Sequence, residues 1–463
     1  MYKLDGEAFK GRLAEYLGEF AADIKTAPSR GHFRNYVKGL IGGAERKNVE
    51  RMATDAKIPV HTLQQFLACY AWDAEAAGRR VRRLVASRYQ SPDAIAIIDE
   101  TGVPKKGEKT AGVQRQYCGA RGKIENSVMF VGLAYAAAGF HALVDLDLYL
   151  PQAWAEDKAR RLEAGIPERL PFRSKLDLSL KQLREAMAEG MAFRWVTADE
   201  FYGRSSGWRR SVSELGLWYV VEVPKDLRGW LPKRMGRLGE GSPVELWELR
   251  AVSDLWRRGG PSWATYRVKE TEKGPEVWEI RVTRFVASVN AGSEGEGWLL
   301  IAHNLLTDEM KYFLSNAPDN CPASALGYVA FSRWRVEHCF KDLKGEVGLD
   351  HFEVHKYRPL VRHLKLALVG MLFLAMERKS LHDGGPWLWS AKAVRELVGV
   401  VLYSVTAKDF AQRWKRALEV REYYETRRKA ATASHSKKRL RRFMDMGIDV
   451  NRLPTFTLGN PAL

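Results

Sequence analysis

The chain has 463 residues, 46% of them hydrophobic, and 74 Lys and Arg against 56 Asp and Glu give a net charge of +18. That length supplies ample core for two to four domains, and the charge calls for a polyanionic partner, nucleic acid being the commonest, over a merely solubilising basic surface. The four cysteines (Cys69, Cys118, Cys321, Cys339) are far apart with no CxxC pair, which fits a reducing cytoplasm and argues against a zinc site. No apolar h-region opens the chain, so no signal peptide is expected.

In chain order, residues 1 to about 90 read as helices: "GEAFKGRLAEYLGEF" and "HTLQQFLACYAWDAEAAGRRVRRLV" carry apolar residues at helical spacing, and Pro59 separates the pieces. "AIAIID" is a run buried on both faces of a sheet. "SVMFVGLAYAAAG" and "HALVDLDLYLP" read as a hairpin turning at Gly139, "LDLSLKQLREAMAEG" as an amphipathic helix ending at Gly190, "FRWVTAD" as a strand, "SSGWRRSVSELG" as a helix and "LWYVVEVP" as a further strand. The glycine-rich, basic "KKGEKTAGVQRQYCGARGK" lacks P-loop spacing and reads as a loop, either facing DNA or simply solvated.

From 225 the pattern alternates between Gly and Pro breaks: "SPVELWELRAVS", "SWATYRVKE", "EVWEIRVTRFVAS" and "WLLIAHNL" predict antiparallel strands. Trp230, Trp247, Trp256, Trp263, Trp278 and Trp298 are expected mostly as core aromatics of a small sheet there, one of them available to stack on an unpaired base. Helices resume from Ala323 to about 345 and from Pro359; "LKLALVGMLFLAM" is too short to span a bilayer and reads as a buried helix. Residues 411–443 hold twelve Lys and Arg against three Glu.

Two strands end on acids, Asp99 and Asp199. Side by side in one sheet, they bring both carboxylates to one edge, where ligands of helix-flanked sheets bind. Carboxylates forced together need a cation, and Mg²⁺ suits such a site. A third acid comes from "RWRVEHCFKDLKG": on one continuous helix Arg333, Glu337 and Lys344 share a face within an arc of roughly 40°. A solvated Arg333–Glu337 pair is the plainer reading of that helix alone.

With "IIDETG", "VTADEFYG" and "RWRVEHCFKDLKGEVGLDHF" in place, the chain resembles DDE-type transposases of bacterial insertion sequences. The branch is the one with a Tyr-x2-Arg-x3-Glu-x6-Lys signature. Ala330 stands at the tyrosine position, with Tyr328 and Phe331 the nearest rings. "ERKNVERMA" and "VDLDLYLPQAW" add to the likeness, which runs over residues 40–365.

The resemblance implies a mixed α/β fold with an RNase H-like catalytic core. The expected parts are an N-terminal helical DNA-binding domain (1–90), core segments at 91–224 and 306–380, a β-rich insertion (225–305) and a helical basic C-terminal region (381–463). It implies Asp99, Asp199 and Glu337 as catalytic metal ligands around two Mg²⁺ ions, with Mn²⁺ able to substitute. Arg333, Lys344, Lys341, Lys105 and Lys106 would hold phosphates near the scissile bond. Arg427, Arg428, Lys437, Lys438, Arg439, Arg441 and Arg442 would bind DNA from the tail. Expected partners are the element's terminal inverted repeats and target DNA, with a homodimer in the DNA complex, no membrane, and a nucleoid-associated place in the bacterial cytoplasm. Rival readings are a DNA-binding protein that no longer cuts and a nuclease without strand transfer.

Other acids read as structural. Glu100 and Glu200 point elsewhere, Asp145 and Asp147 are expected as surface acids of a neighbouring strand, and His351 and His355 sit on no settled helix.

Overall fold

The computed structural model describes residues 5–119, 121–230, 244–245, 263–289, 292–293, 295–383, 389–404 and 406–458. The chain forms two compact units: Met1–Ser91 with Asp99–Ala192 and Arg335–Glu425, and Pro92–Ile98 with Phe193–Trp334 and Thr426–Leu463. The expected strand in "SPVELWELRAVS", apart from residues 244–245, lies outside the described residues, as do Trp247 and Trp256.

In the first unit, helices Gly6–Gly18, Ala27–Ile41, Val49–Asp55, Val60–Ala68 and Ala74–Tyr89 start on side-chain caps or proline: Asp5, Thr26, Asn48, Pro59 and Asp73. Most of them pack on the helix Tyr357–Asp383, several of whose polar residues find partners there. Arg362 donates to the carbonyls of Leu67 (2.9 Å) and Tyr70 (2.7 Å), Tyr36 Oη lies 2.9 Å from His363 Nδ1, and Arg12 Nη2 lies 2.7 Å from Glu377 Oε2. The helix has 27 residues, long and apolar enough to cross a bilayer, so the expected shortness is corrected. Its being a buried core helix holds, since its window is 89% buried.

Strand β1 (Ile95–Pro104) begins in the second unit's residues and continues into the first's. In the first unit, β2 (Gln114–Cys118) and β4 (Phe140–Leu148) both pair antiparallel with β3 (Lys123–Ala137), and Gly139 takes the left-handed turn (φ 69) at the β3–β4 hairpin. β2 was not expected. Only Cys118 of its five residues is buried, and glycines on both sides make the segment read as a loop.

In the second unit, Ile95–Ile97 pair in parallel with β5 (Trp195–Thr197), and β5 in parallel with β6 (Trp218–Val223). The insertion strands do not form a separate small sheet. Met310–Ser315 pairs antiparallel with β6, followed by Gly297–Asn304, Gly274–Val289 and Ala264–Thr271, so β6 is not left as an open edge. Trp278 is core, packed on Phe331 (centroids 4.9 Å), which stacks on Phe456 at 5.6 Å. Trp230, Trp263 and Trp298 are half-buried. The result is the mixed α/β class that the sequence led us to expect.

The helix expected from Ala323 to about 345 is interrupted. It is Ala323–Ala330, a turn at Phe331–Arg333, then Trp334–Gly345. Phe331 turns into the aromatic core, and buried Ser332 Oγ donates to the Val329 carbonyl (2.7 Å), a local bond that competes with helix continuation.

Candidate active site

Asp199 follows β5 after one intervening residue, Ala198, and caps the short helix Glu200–Gly203, its carboxylate accepting from the Phe201 N–H at 3.1 Å. The position is built by close contact. A Cβ on Gly203 would stand 1.9 Å from the Glu222 carbonyl oxygen, so only glycine lets this turn lie on β6, which accounts for the "DEFYG" ending. Burial lifts the Asp199 carboxyl above its usual range, and the charge of Glu222 adds to the lift, while Arg333 and the Tyr202 and Phe201 N–H groups act against it. Arg333 is thus the cation that bears on Asp199. Glu222 is an acid that the sequence reading missed; its signal was one charge in the apolar run "WYVVEV". It also lies 3.4 Å from Lys311 Nζ.

Asp99 is 8% exposed. It does not end its strand, since β1 runs on to Pro104. Past it, Gly102 packs closely, and a Cβ there would lie 2.8 Å from Met129 Sδ. The register pairs Ile97 with Thr197, and Asp99 and Asp199 each follow two residues later. Glu100, next along, is held by Lys175 at 2.7 Å. Glu200 pairs with Arg204 at 3.0 Å on the surface.

Glu337 lies exposed in the first turn of Trp334–Gly345; Arg333 lies just before that helix and not on it. Two other acids belong to this stretch. Burial pushes Asp342 up to about 6 beside Arg378 (3.7 Å), and Glu346, past the helix end, is paired with Arg395 at 2.7 Å.

The expected phosphate cations differ in state. Lys344 Nζ donates to the Gly102 carbonyl (2.7 Å) and Lys105 Nζ to the Phe352 carbonyl (2.7 Å), with burial pushing Lys105 down to about 8. Lys341 and Lys106 are exposed. In the tail helix Ala407–Asp445, Arg427, Lys437, Lys438, Arg441 and Arg442 are exposed and Arg428 is half-buried. Arg439 Nη1 donates to the carbonyls of Gly274 (3.2 Å) and Pro275 (3.3 Å).

Asp145 and Asp147 are not surface acids. Asp145 is fully buried between Arg82 (2.5 Å) and Lys365 (2.8 Å), and Asp147 lies between Lys365 (3.1 Å) and Lys181 (3.0 Å). Burial would raise Asp147, but the two lysines outweigh it and hold it low. His351 Nδ1 accepts from the Lys47 N–H and His355 Nδ1 meets Thr110 Oγ1 at 2.9 Å, so both rings are in use. Among the described residues, no three His, Cys, Asp or Glu side chains form a group that could hold a metal. The expected set of Asp99, Asp199 and Glu337 is therefore not gathered into such a group; its members offer carboxylate oxygens, the donors that suit Mg²⁺ or Mn²⁺.

Two family profiles and a relative in sequence agree on a class. The profile of the DDE superfamily endonuclease family matches residues 19–247, and that of the transposase DDE domain matches residues 175–373. The probable transposase for insertion sequence element IS701 of Microchaete diplosiphon is 26% identical over 325 residues, covering 69% of this chain and 75% of that protein. A solved structure, the piggyBac transposase synaptic complex with hairpin DNA, is similar over 85% of this chain and 76% of its own, with 10% identity and a TM-score of 0.39. The protein is an enzyme of the nuclease and transposase class. The chain belongs to the DDE-type transposases of insertion sequences.

Proposed function

We propose that the protein cuts the DNA ends of its insertion sequence and joins the freed 3′-hydroxyls to target DNA. Asp99, Asp199 and Glu337 are the residues that would hold the divalent ions, Mg²⁺ by the chemistry of their oxygens. When bound, paired metal ions supply an activated nucleophile and neutralise charge on the leaving oxygen. The chain's own part is positioning. The Glu200–Gly203 turn fixes Asp199 on β6, the burial of Asp99 fixes its rotamer, and Arg333 offers a cation to a backbone phosphate next to Asp199. The observation that supports the reading is the parallel pairing of Ile97 with Thr197, two residues before Asp99 and Asp199 respectively.

Lys341, Lys106 and the exposed tail cations would bind DNA backbone, and two copies of the chain would hold two element ends. The test is Mg²⁺-dependent nicking, then strand transfer into a plasmid, using duplex from the DNA flanking the gene. Nicking without transfer would leave a nuclease; binding without nicking would leave a DNA-binding protein.

A further inference from the structure

The β2–β3 ribbon carries an outward face that the catalytic reading does not use. The register sets Arg115 opposite Asn126 and Tyr117 opposite Ile124, while Gln116 and Cys118 fall on the alternate face. The alternate face is anchored, with Cys118 and Ser127 fully buried and Gln116 Nε2 donating to the Ser127 carbonyl at 3.0 Å. The outward face is not covered: Tyr117 is 62% exposed and Ile124 59%. Arg115 is exposed beside them. Arg121 and Lys123 stand at the ribbon's turn and share Glu125 at 4.0 and 3.5 Å, contacts too long and too wet to neutralise them. The basic loop before β2 is tied to the same ribbon, by the Lys105 N–H to the Asn126 carbonyl (2.9 Å) and Asn126 Nδ2 to the Gly107 carbonyl (3.3 Å), and it presents exposed Lys106.

We infer that the outward face of this ribbon reads duplex DNA in the major groove, with Arg115, Tyr117 and Ile124 toward the bases and Lys106 and Arg121 toward the backbone. A two-stranded ribbon has the width for that groove, about 12 Å across. Arginine meets a guanine edge in two bonds, and apolar side chains meet thymine methyls. Strand pairing accounts for Tyr117 standing opposite Ile124. It does not account for an exposed apolar pair ringed by cations, which is the composition of a groove reader and not of a solvated strand. A second copy of the chain is the other conceivable occupant, and like-charged rims disfavour it.

The inference rests on the DNA-cutting reading, and its test separates the two. The full-length protein is titrated with a duplex taken from the DNA flanking the gene and with a scrambled duplex, at several salt concentrations, with nicking followed in parallel. Tyr117→Ser/Ile124→Ser should lose about tenfold or more of the preference for the flanking duplex, consistent with one or two lost base contacts, while the salt slope and the melting temperature stay near wild type. Lys106→Gln/Arg121→Gln should lower the slope by about 0.9 per lost phosphate contact with the preference kept. An unchanged preference in the first variant overturns the inference even where nicking persists. So does a change in oligomeric state with unchanged DNA affinity, which would give the face to a second copy. Wild-type protein that never nicks overturns the cutting reading without touching the measured preference.

Discussion

Arg395 Nε holds Glu346 Oε2 at 2.7 Å, one residue past the end of the Trp334–Gly345 helix. Gly348, in the left-handed region at φ 77, turns the chain away. Glu346 is therefore committed to a half-buried pair, and Asp342 faces Arg378. Glu337 is the acid this helix presents to solvent.

Glu337→Gln is expected to abolish cleavage with the fold intact, since a ligand is lost at nearly constant size. Glu346→Gln should cost about 1–3 kcal/mol of stability by weakening a charged pair and leave cleavage within a few-fold. Nicking assays beside urea unfolding decide it, and the reverse pattern would move the third ligand to Glu346.

Asp199→Asn should raise stability at neutral pH. Burial holds the Asp199 proton more tightly in the folded chain than in the unfolded one. Stability therefore falls as pH rises through the usual carboxylate range, and the full cost is present above the folded-state pKa. Asparagine removes the charge and caps a helix as well as aspartate. Thermal melts should show the variant above wild type at pH 7.5, with the gap closing below about pH 4, and cleavage lost at every pH. A lower melting temperature at pH 7.5 would mean that the Arg333 attraction outweighs burial.

The cluster of Arg82, Asp145, Lys365, Asp147 and Lys181 is structural. Lys365→Met strands two buried carboxylates and should cost about 3–5 kcal/mol, read by urea unfolding. Metal dependence of cleavage by surviving folded protein should be unchanged. A shifted Mg²⁺ requirement would instead place Asp145 or Asp147 at the metal.

The tail cations divide by what they touch. Lys437→Gln/Lys438→Gln/Arg441→Gln should flatten the log K against log salt slope by about 0.9 for each lost contact, with stability near wild type. Arg439→Gln should instead destabilise, because its guanidinium fastens the helix to the Thr271–Pro275 turn. A slope unchanged in the triple variant would make that face a solvated charge run.

The elements that carry the candidate acids were legible because local signals set them. Apolar runs marked the strands at Asp99 and Asp199, although β1 runs on past Asp99 to Pro104, and Gly345 and Gly348 marked the helix end beyond Glu337. What was not legible depended on partners distant in the chain. Asp145 reads as a surface acid until Arg82 and Lys365, 63 and 220 residues away, close on it. The helix break at Ser332 depends on Phe331 finding Trp278 and Phe456, and the joining of the insertion to β6 depends on Met310–Ser315, which no turn signal announced. β2 was hidden by its flanking glycines.

The central claim is that Asp99, Asp199 and Glu337 act as one metal-binding set. The direct measurement is Mg²⁺-dependent nicking of a duplex from the flanking DNA by wild type, Asp99→Asn, Asp199→Asn and Glu337→Gln, with binding to the same duplex measured alongside. All three variants should bind within a few-fold of wild type and produce no nick. A variant that nicks at the wild-type rate would remove its residue from the set and contradict the account.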